Sequence, residues 1–337
     1  MKTNATTTVN AAEELKVGDF IARGVISTEM PRAYGDALLE AAALRLDLAC
    51  LCADLTASTE TDRFRDTYPE RFVHTGIAEA NMIGMAAGMA RSGYMPVTHT
   101  FSVFATRRCY DQIAMQVAYP RTNVKMAGFL PGLTTLLGVS HQAIDDVALM
   151  RALPNMAIAE PAGPEQVAAI VNAAFERPGP VYLRLRRAAW STRSELRDGC
   201  FEFGKGTLLR AGDGAVIFAT GLMVEIALDA SDLLLADGLQ TAVVNLASIK
   251  PLDTELVIEQ ARRCKFAVTA ENHSVVGGLG SAVAECLAEA GVPARLARIG
   301  LQDTFAEGGT LPFLLNKYNM DAQAIAATVR RLRKENR

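Results

Sequence analysis

Apolar residues recur at helical spacing over residues 33–46, after a polar lead of about 20 residues, and an apolar, period-2 run follows at 48–53. The alternation repeats. Strand-like runs at 124–129, 156–160 and 181–185 are separated by helical patterns at 79–92, 142–152 and 165–176. Strands alternating with helices of 10 to 15 residues predict a mostly parallel sheet covered on both faces. A charged, Trp-containing stretch at 186–200 breaks the pattern. Beyond it, runs at 215–219, 241–246, 266–270 and 295–299 alternate with helical stretches that include 279–290 and a basic terminal helix at 322–334. The expected organisation is α/β in two domains, each a mostly parallel sheet flanked by helices. It comprises an N-terminal extension at 1–20, a first domain at 21–190, a linker at 191–200 and a second, smaller domain at 201–337.

At 337 residues the chain is long enough for two cores. It is 50% hydrophobic and 21% charged with net charge -3, so it has no general electrostatic pull toward nucleic acid or anionic membrane. The N-terminus lacks the uninterrupted apolar run of a signal peptide or membrane helix, and a cytoplasmic protein is expected. The six cysteines (Cys50, Cys52, Cys109, Cys200, Cys264, Cys286) form no C-x-x-C pair and have no His at metal-ligand spacing, which points to reduced thiols in packing roles and to no metal site.

Candidate chemistry concentrates between Arg71 and Ala90, where small residues (Gly76, Ala78, Ala80, Gly84, Ala86, Ala87, Gly88) surround one carboxylate, Glu79. Glycines there weaken a helix but admit another backbone or a flat ligand. Glu79 stands where the positive end of a helix dipole favours a carboxylate, so a charge at a helix N-terminus is one reading and a functional acid the other. Met82, Met85 and Met89 fall on one helix stripe and read as packing.

The segment Gly76-Ile77-Ala78-Glu79-Ala80-Asn81-Met82 resembles the pyrimidine-binding signature of the transketolase family. Further segments resemble that family in its order: Cys52 to Ser58, Thr100 to Phe104, Ser140 to Asp146, Arg151 to Asn155 and Glu271 to Ser281. Together they span roughly Arg32 to the C-terminus. The resemblance implies a thiamine-diphosphate-binding Pyr domain followed by a transketolase C-terminal domain. It also implies transfer of a two-carbon ketol unit from a ketose, expected as a phosphate, to an aldehyde. In the family the glutamate matching Glu79 bonds to the aminopyrimidine ring of thiamine diphosphate and favours the tautomer that removes the thiazolium C2 proton. Phe101 and Phe104 match aromatics that pack around the pyrimidine, and Asp54 matches an acid near the cofactor, although a turn carboxylate is an equal reading. His141 matches a catalytic pocket histidine. Arg32, Ser58 and Arg186 match positions that hold a sugar phosphate.

The chain also departs from the family. Arg107 stands where the family has its next aromatic, and the loop before Ser140, residues 129–139, is apolar where the family reads sugar hydroxyls with polar groups. A modified, branched or less hydroxylated ketose is therefore expected, with His99 supplying a polar contact. Gly212-Asp213-Gly214 reads as a turn before a strand, not as the family's metal motif. With no diphosphate half-site in view, the expected partner is an N-terminal, pyrophosphate-binding transketolase subunit that ligates Mg²⁺, in a heterotetramer within which this chain homodimerises. Two readings compete: another thiamine-diphosphate subunit of deoxyxylulose-phosphate-synthase or ketoacid-dehydrogenase-β type, and a scaffolding subunit without activity. The Ser-His-Gln and C-terminal motifs argue against the first, and the presence of Glu79, both phenylalanines and His141 against the second.

Overall fold

The computed structural model describes residues 32–187 and 193–335. The expected N-terminal extension at 1–20 and part of the expected linker, residues 191–192, lie outside the described residues. Seven strands form one sheet in the order β10-β5-β6-β4-β3-β1-β2. These are β1 (Leu48–Cys52), β2 (Phe72–His74), β3 (Met95–Phe101), β4 (Lys125–Phe129), β5 (Ala157–Ala159), β6 (Val181–Leu185) and β10 (Ser248–Lys250). All its pairings are parallel except that of β10 with β5. Five strands form a second sheet in the order β12-β11-β8-β9-β7, from β7 (Thr207–Arg210), β8 (Ala215–Ala219), β9 (Thr241–Asn245), β11 (Phe266–Ser274) and β12 (Arg295–Leu301). Only β7 runs antiparallel to its neighbour there.

Period 2 explains how each sheet is sealed on both faces. In β8, Ala215, Ile217 and Ala219 meet the helices Leu222–Ala236 and Ala322–Lys334, while Val216 and Phe218 meet Thr254–Cys264 and Leu279–Glu289. In β6, Leu183 and Leu185 pack with Tyr34 and Leu38 of the helix Ala33–Leu44, while Tyr182 packs on the opposite side with Ile83 and Met150. Each large apolar side chain so buried contributes about 1.5–3 kcal/mol.

Four strands, β2, β3, β7 and β10, were not legible as strands. β3 reads Met-Pro-Val-Thr-His-Thr-Phe, yet every one of these residues is buried; His99 and Thr100 find partners inside the fold, so neither alternation nor an apolar run marks it. β10 is three residues long and comes from the second half of the chain, returning to close the edge of the first sheet. That return ties the two sheets into one body.

Candidate functional site

Because β1, β2, β3, β4 and β6 are parallel, the segments that follow them emerge at one edge of the sheet. β1 has β2 on one side and β3 on the other, and a crevice at such a reversal of strand order is where open α/β sheets take ligands. The candidate residues gather at this edge. Asp54 and Ser58 follow β1, Glu79 follows β2, Phe101 and Phe104 follow or end β3, His141 lies in the segment after β4, and Arg186 and Arg187 follow β6. Arg32 precedes the helix that leads into β1.

Gly76, at φ +68, turns the chain out of β2 into the helix Glu79–Arg91, whose first residue is Glu79. The carboxylate is 2% exposed. Its Oε1 accepts the Thr100 hydroxyl at 3.1 Å and its Oε2 accepts the Arg108 guanidinium at 3.0 Å. The hydroxyl and the guanidinium together satisfy both buried carboxylate oxygens. Arg108 also lies 4.0 Å over the Phe104 ring. Phe104 stacks with Phe101 at 6.1 Å between centroids, and the His141 ring meets Phe104 edge-on at 5.2 Å. Ser140 Oγ and His141 Nδ1 share a hydrogen bond at 2.9 Å. Partial burial and the nearby Arg108 cation lower the pKa of His141 below its usual value, which keeps it neutral at neutral pH. One acid, two aromatic rings, one imidazole and one guanidinium thus form a continuous patch from three separate segments. Arg108 escaped sequence reading because a second Arg in an Arg-Arg pair carries no spacing signal. Its neighbour Arg107, at the position expected to be aromatic, turns instead to Asp145, with Nε 2.9 Å from both carboxylate oxygens.

A second group surrounds Arg32. Its guanidinium is paired with Asp62, Glu60 accepts the Gly35 N–H at 2.9 Å, and Ser58 is half-buried in the same turn. Burial raises the pKa of Glu60. Arg187, not Arg186, belongs to this group: the charges that act on Arg187 are Glu60, Arg32 and Asp62, whereas Arg186 pairs with Glu225 at 3.6 Å. The physical reason is strand parity. Leu183, Leu185 and Arg187 point to one face of the sheet and Arg184 and Arg186 to the other, so the guanidinium that joins Arg32 is one residue beyond the expected one.

His99 is a further correction. It is fully buried, its Nδ1 donates to Leu51 O at 3.0 Å and its Nε2 accepts the Tyr34 hydroxyl at 2.6 Å. Burial pushes its pKa down to about 4. Both nitrogens are engaged in the core, so it is no substrate contact. Asp54 sits just past β1 at φ +56, exposed and 3.0 Å from His74 Nε2. The apolar loop at 129–139 also differs from expectation. Leu130 and Leu133 are buried in the two cores and the loop lies against the second domain, leaving Leu137 and Val139 exposed. Gly212-Asp213-Gly214 forms the turn into β8, with Gly214 N donating to Gln240 O at 2.9 Å and Gly212 tight against Ala242.

Both domains have counterparts among known proteins. Residues 27–191 match the family model for the transketolase pyrimidine binding domain, and 204–325 that for the transketolase C-terminal domain. The chain is 43% identical over 293 residues (87% of this chain, 90% of the other) to the 6-deoxy-6-sulfo-D-fructose transketolase subunit SqwH of Clostridium sp. (strain MSTE9). It is 40% identical over 302 residues (89% and 95%) to a putative transketolase C-terminal section of Methanocaldococcus jannaschii. Among solved structures it resembles a split gene transketolase, described as an inactive beta4 tetramer, at TM-score 0.82 and 44% identity, covering 89% of this chain and 96% of that one.

Proposed function

Since this chain belongs to the transketolase family, as the C-terminal subunit of a two-component transketolase, we propose that the Glu79 patch is the pyrimidine half of a thiamine-diphosphate site that a partner subunit completes. The observation that carries this reading is Glu79 itself, a carboxylate 2% exposed at a helix N-terminus with Phe101, Phe104 and His141 close by. A flat, basic aromatic ring is what one buried carboxylate and two phenylalanines suit. When bound, the cofactor supplies the stabilised carbanion chemistry that breaks and makes carbon–carbon bonds. Glu79 holds or shifts a proton at the pyrimidine ring nitrogen, and Thr100 fixes its rotamer. Arg108 reaches both Glu79 and the Phe104 face, so it yields or re-pairs as the ring enters. His141 is placed to exchange a proton with substrate oxygens.

Arg32, Ser58 and Arg187 are proposed to hold the anionic end of a ketose, where the planar guanidinium forks suit a tetrahedral oxyanion, phosphate or sulfonate. The sulfo-sugar named for the Clostridium relative fits that chemistry, and the commitment of the 129–139 loop to the domain joint fits a substrate read through fewer hydroxyls. Mg²⁺ and the diphosphate are assigned to the partner. Ile77, Met85, Met115 and Tyr119 are exposed large apolar side chains, and Met85 lies within the Gly84–Gly88 stretch, which supports assembly with other subunits. The test is co-expression with an N-terminal transketolase subunit, followed by cofactor binding and turnover of ketose phosphates and a 6-sulfo ketose. Turnover is expected only in the mixture and to fall at least about 100-fold in Glu79→Ala. Retention of most turnover in Glu79→Ala refutes the catalytic role, and tight cofactor binding by this chain alone refutes the shared site.

A further inference from the structure

The segment that carries His141 is held from the second domain. We propose that Asn272, at the end of β11, is a positioning residue for His141, an inference that rests on the catalytic reading of that histidine. Asn272 is 1% exposed, and its side-chain amide is used at both ends on the same loop: Oδ1 accepts Leu133 N–H at 2.9 Å and Nδ2 donates to Pro131 O at 3.1 Å. Its own carbonyl accepts Arg184 at 2.7 Å, so the amide is itself fixed. Between the two bonded residues lies Gly132 at φ +57, where a Cβ would fall 2.2 Å from Asn272 O and 2.4 Å from its Cγ. Only glycine allows so close an approach.

The loop is then closed onto the strand-like return that bears His141. Gly132 N donates to Ala143 O at 3.0 Å, and Pro131 bridges Ala143, two residues beyond His141. The second domain grips the other side as well, through Gln142 Nε2 to Glu307 O at 3.0 Å and through Gly138 against Gly308. His141 N–H in turn donates to Gly138 O at 2.9 Å. The imidazole therefore sits on a loop whose base and tip are both referenced to the second domain, and Asn272 is the side chain that fixes the base. The second domain, which supplies no other candidate site residue, acquires a task in catalysis.

Asn272→Ala and Asn272→Asp, the latter keeping the acceptor and losing the donor, are made in the full chain and assembled with the partner subunit. Amide exchange in the full chain alone is expected to rise at least tenfold over residues 131–143 while β1, β3 and β8 keep their protection. In the assembled enzyme kcat/KM is expected to fall about 100-fold, the cost of a displacement near 1 Å. The double variant with His141→Ala should lose nothing further, because the two act as one unit. Exchange that rises evenly across both sheets, or losses that multiply in the double variant, would overturn the proposal. If His141→Ala abolishes turnover but exchange over 131–143 is unchanged in Asn272→Ala, the Asn272 role alone fails; if His141→Ala leaves turnover intact, the reading beneath it fails.

Discussion

Replacing Arg184 with methionine removes a fully buried guanidinium and keeps most of its volume. In the folded chain Nε donates to Asp146 Oδ2 at 2.8 Å, Nη1 to Glu160 Oε1 at 2.8 Å, and Nη2 to Asp146 Oδ1 at 3.2 Å, Asn272 O at 2.7 Å and Ala143 O at 3.3 Å. Asp146 and Glu160 are themselves buried, so the variant strands two carboxylates without their cation. Breaking one buried pair costs about 3–5 kcal/mol, and the loss of both places Arg184→Met at about 5 kcal/mol near neutral pH, a fall in Tm of roughly 10 °C. The sign with pH separates lost charge pairing from lost packing. Burial opposes ionisation of Asp146, yet Arg184 and His273 hold its pKa below the usual value, so in the native chain its stabilisation is present above the unfolded pKa and is lost only in strong acid. In the variant burial outweighs what is left at Asp146, the Tyr182 hydroxyl and His273, and both carboxyls bind protons more readily folded than unfolded. Their penalty is therefore full at pH 8 and eases as pH falls. Thermal unfolding followed by circular dichroism from pH 8 to 5 should show the gap between native and variant narrowing, with Arg184→Lys intermediate. A gap below 1 kcal/mol, or one independent of pH, refutes the reasoning.

Two further expectations concern the corrected site residues. His99→Gln should leave the pH profile of turnover unmoved, since His99 touches only the core. It should also remove part of the acid sensitivity of folding: with a folded pKa near 4, His99 resists protonation that the unfolded chain accepts, which costs stability as pH falls below about 6.5, by up to roughly 3 kcal/mol. A shifted turnover profile in His99→Gln argues for the substrate contact instead. Arg187→Ala should raise KM for anionic ketoses about 10- to 100-fold, the worth of charge-assisted hydrogen bonds, and should do so more than Arg186→Ala; the reverse order in steady-state kinetics would restore Arg186.

The pattern of apolar positions was enough for the two-sheet α/β architecture and for most of the long helices, because helices such as Glu79–Arg91 and Ala322–Lys334 display their periodicity in any register of reading. Ordered motifs carried Glu79, Phe101, Phe104 and His141 to one site before any coordinates. β3 was illegible because His99 and Thr100 are buried against partners distant in sequence, Tyr34 and Glu79 among them. β10 was illegible because an edge strand of three residues carries too few positions to show a period.

Residue types and spacing, then, determined the fold class and the presence of a lone acid in a small-residue helix, and the resemblance of ordered motif segments gave the family, since these are local properties of the chain. Tertiary structure alone decided that Arg187 rather than Arg186 faces Arg32, that His99 is sealed in the core, that Arg108 shares Glu79, and that the apolar loop belongs to the domain joint. Each of these depends on which face of a strand a side chain takes and on what a distant segment brings to meet it, and a one-residue change of parity, invisible in composition, reverses the answer.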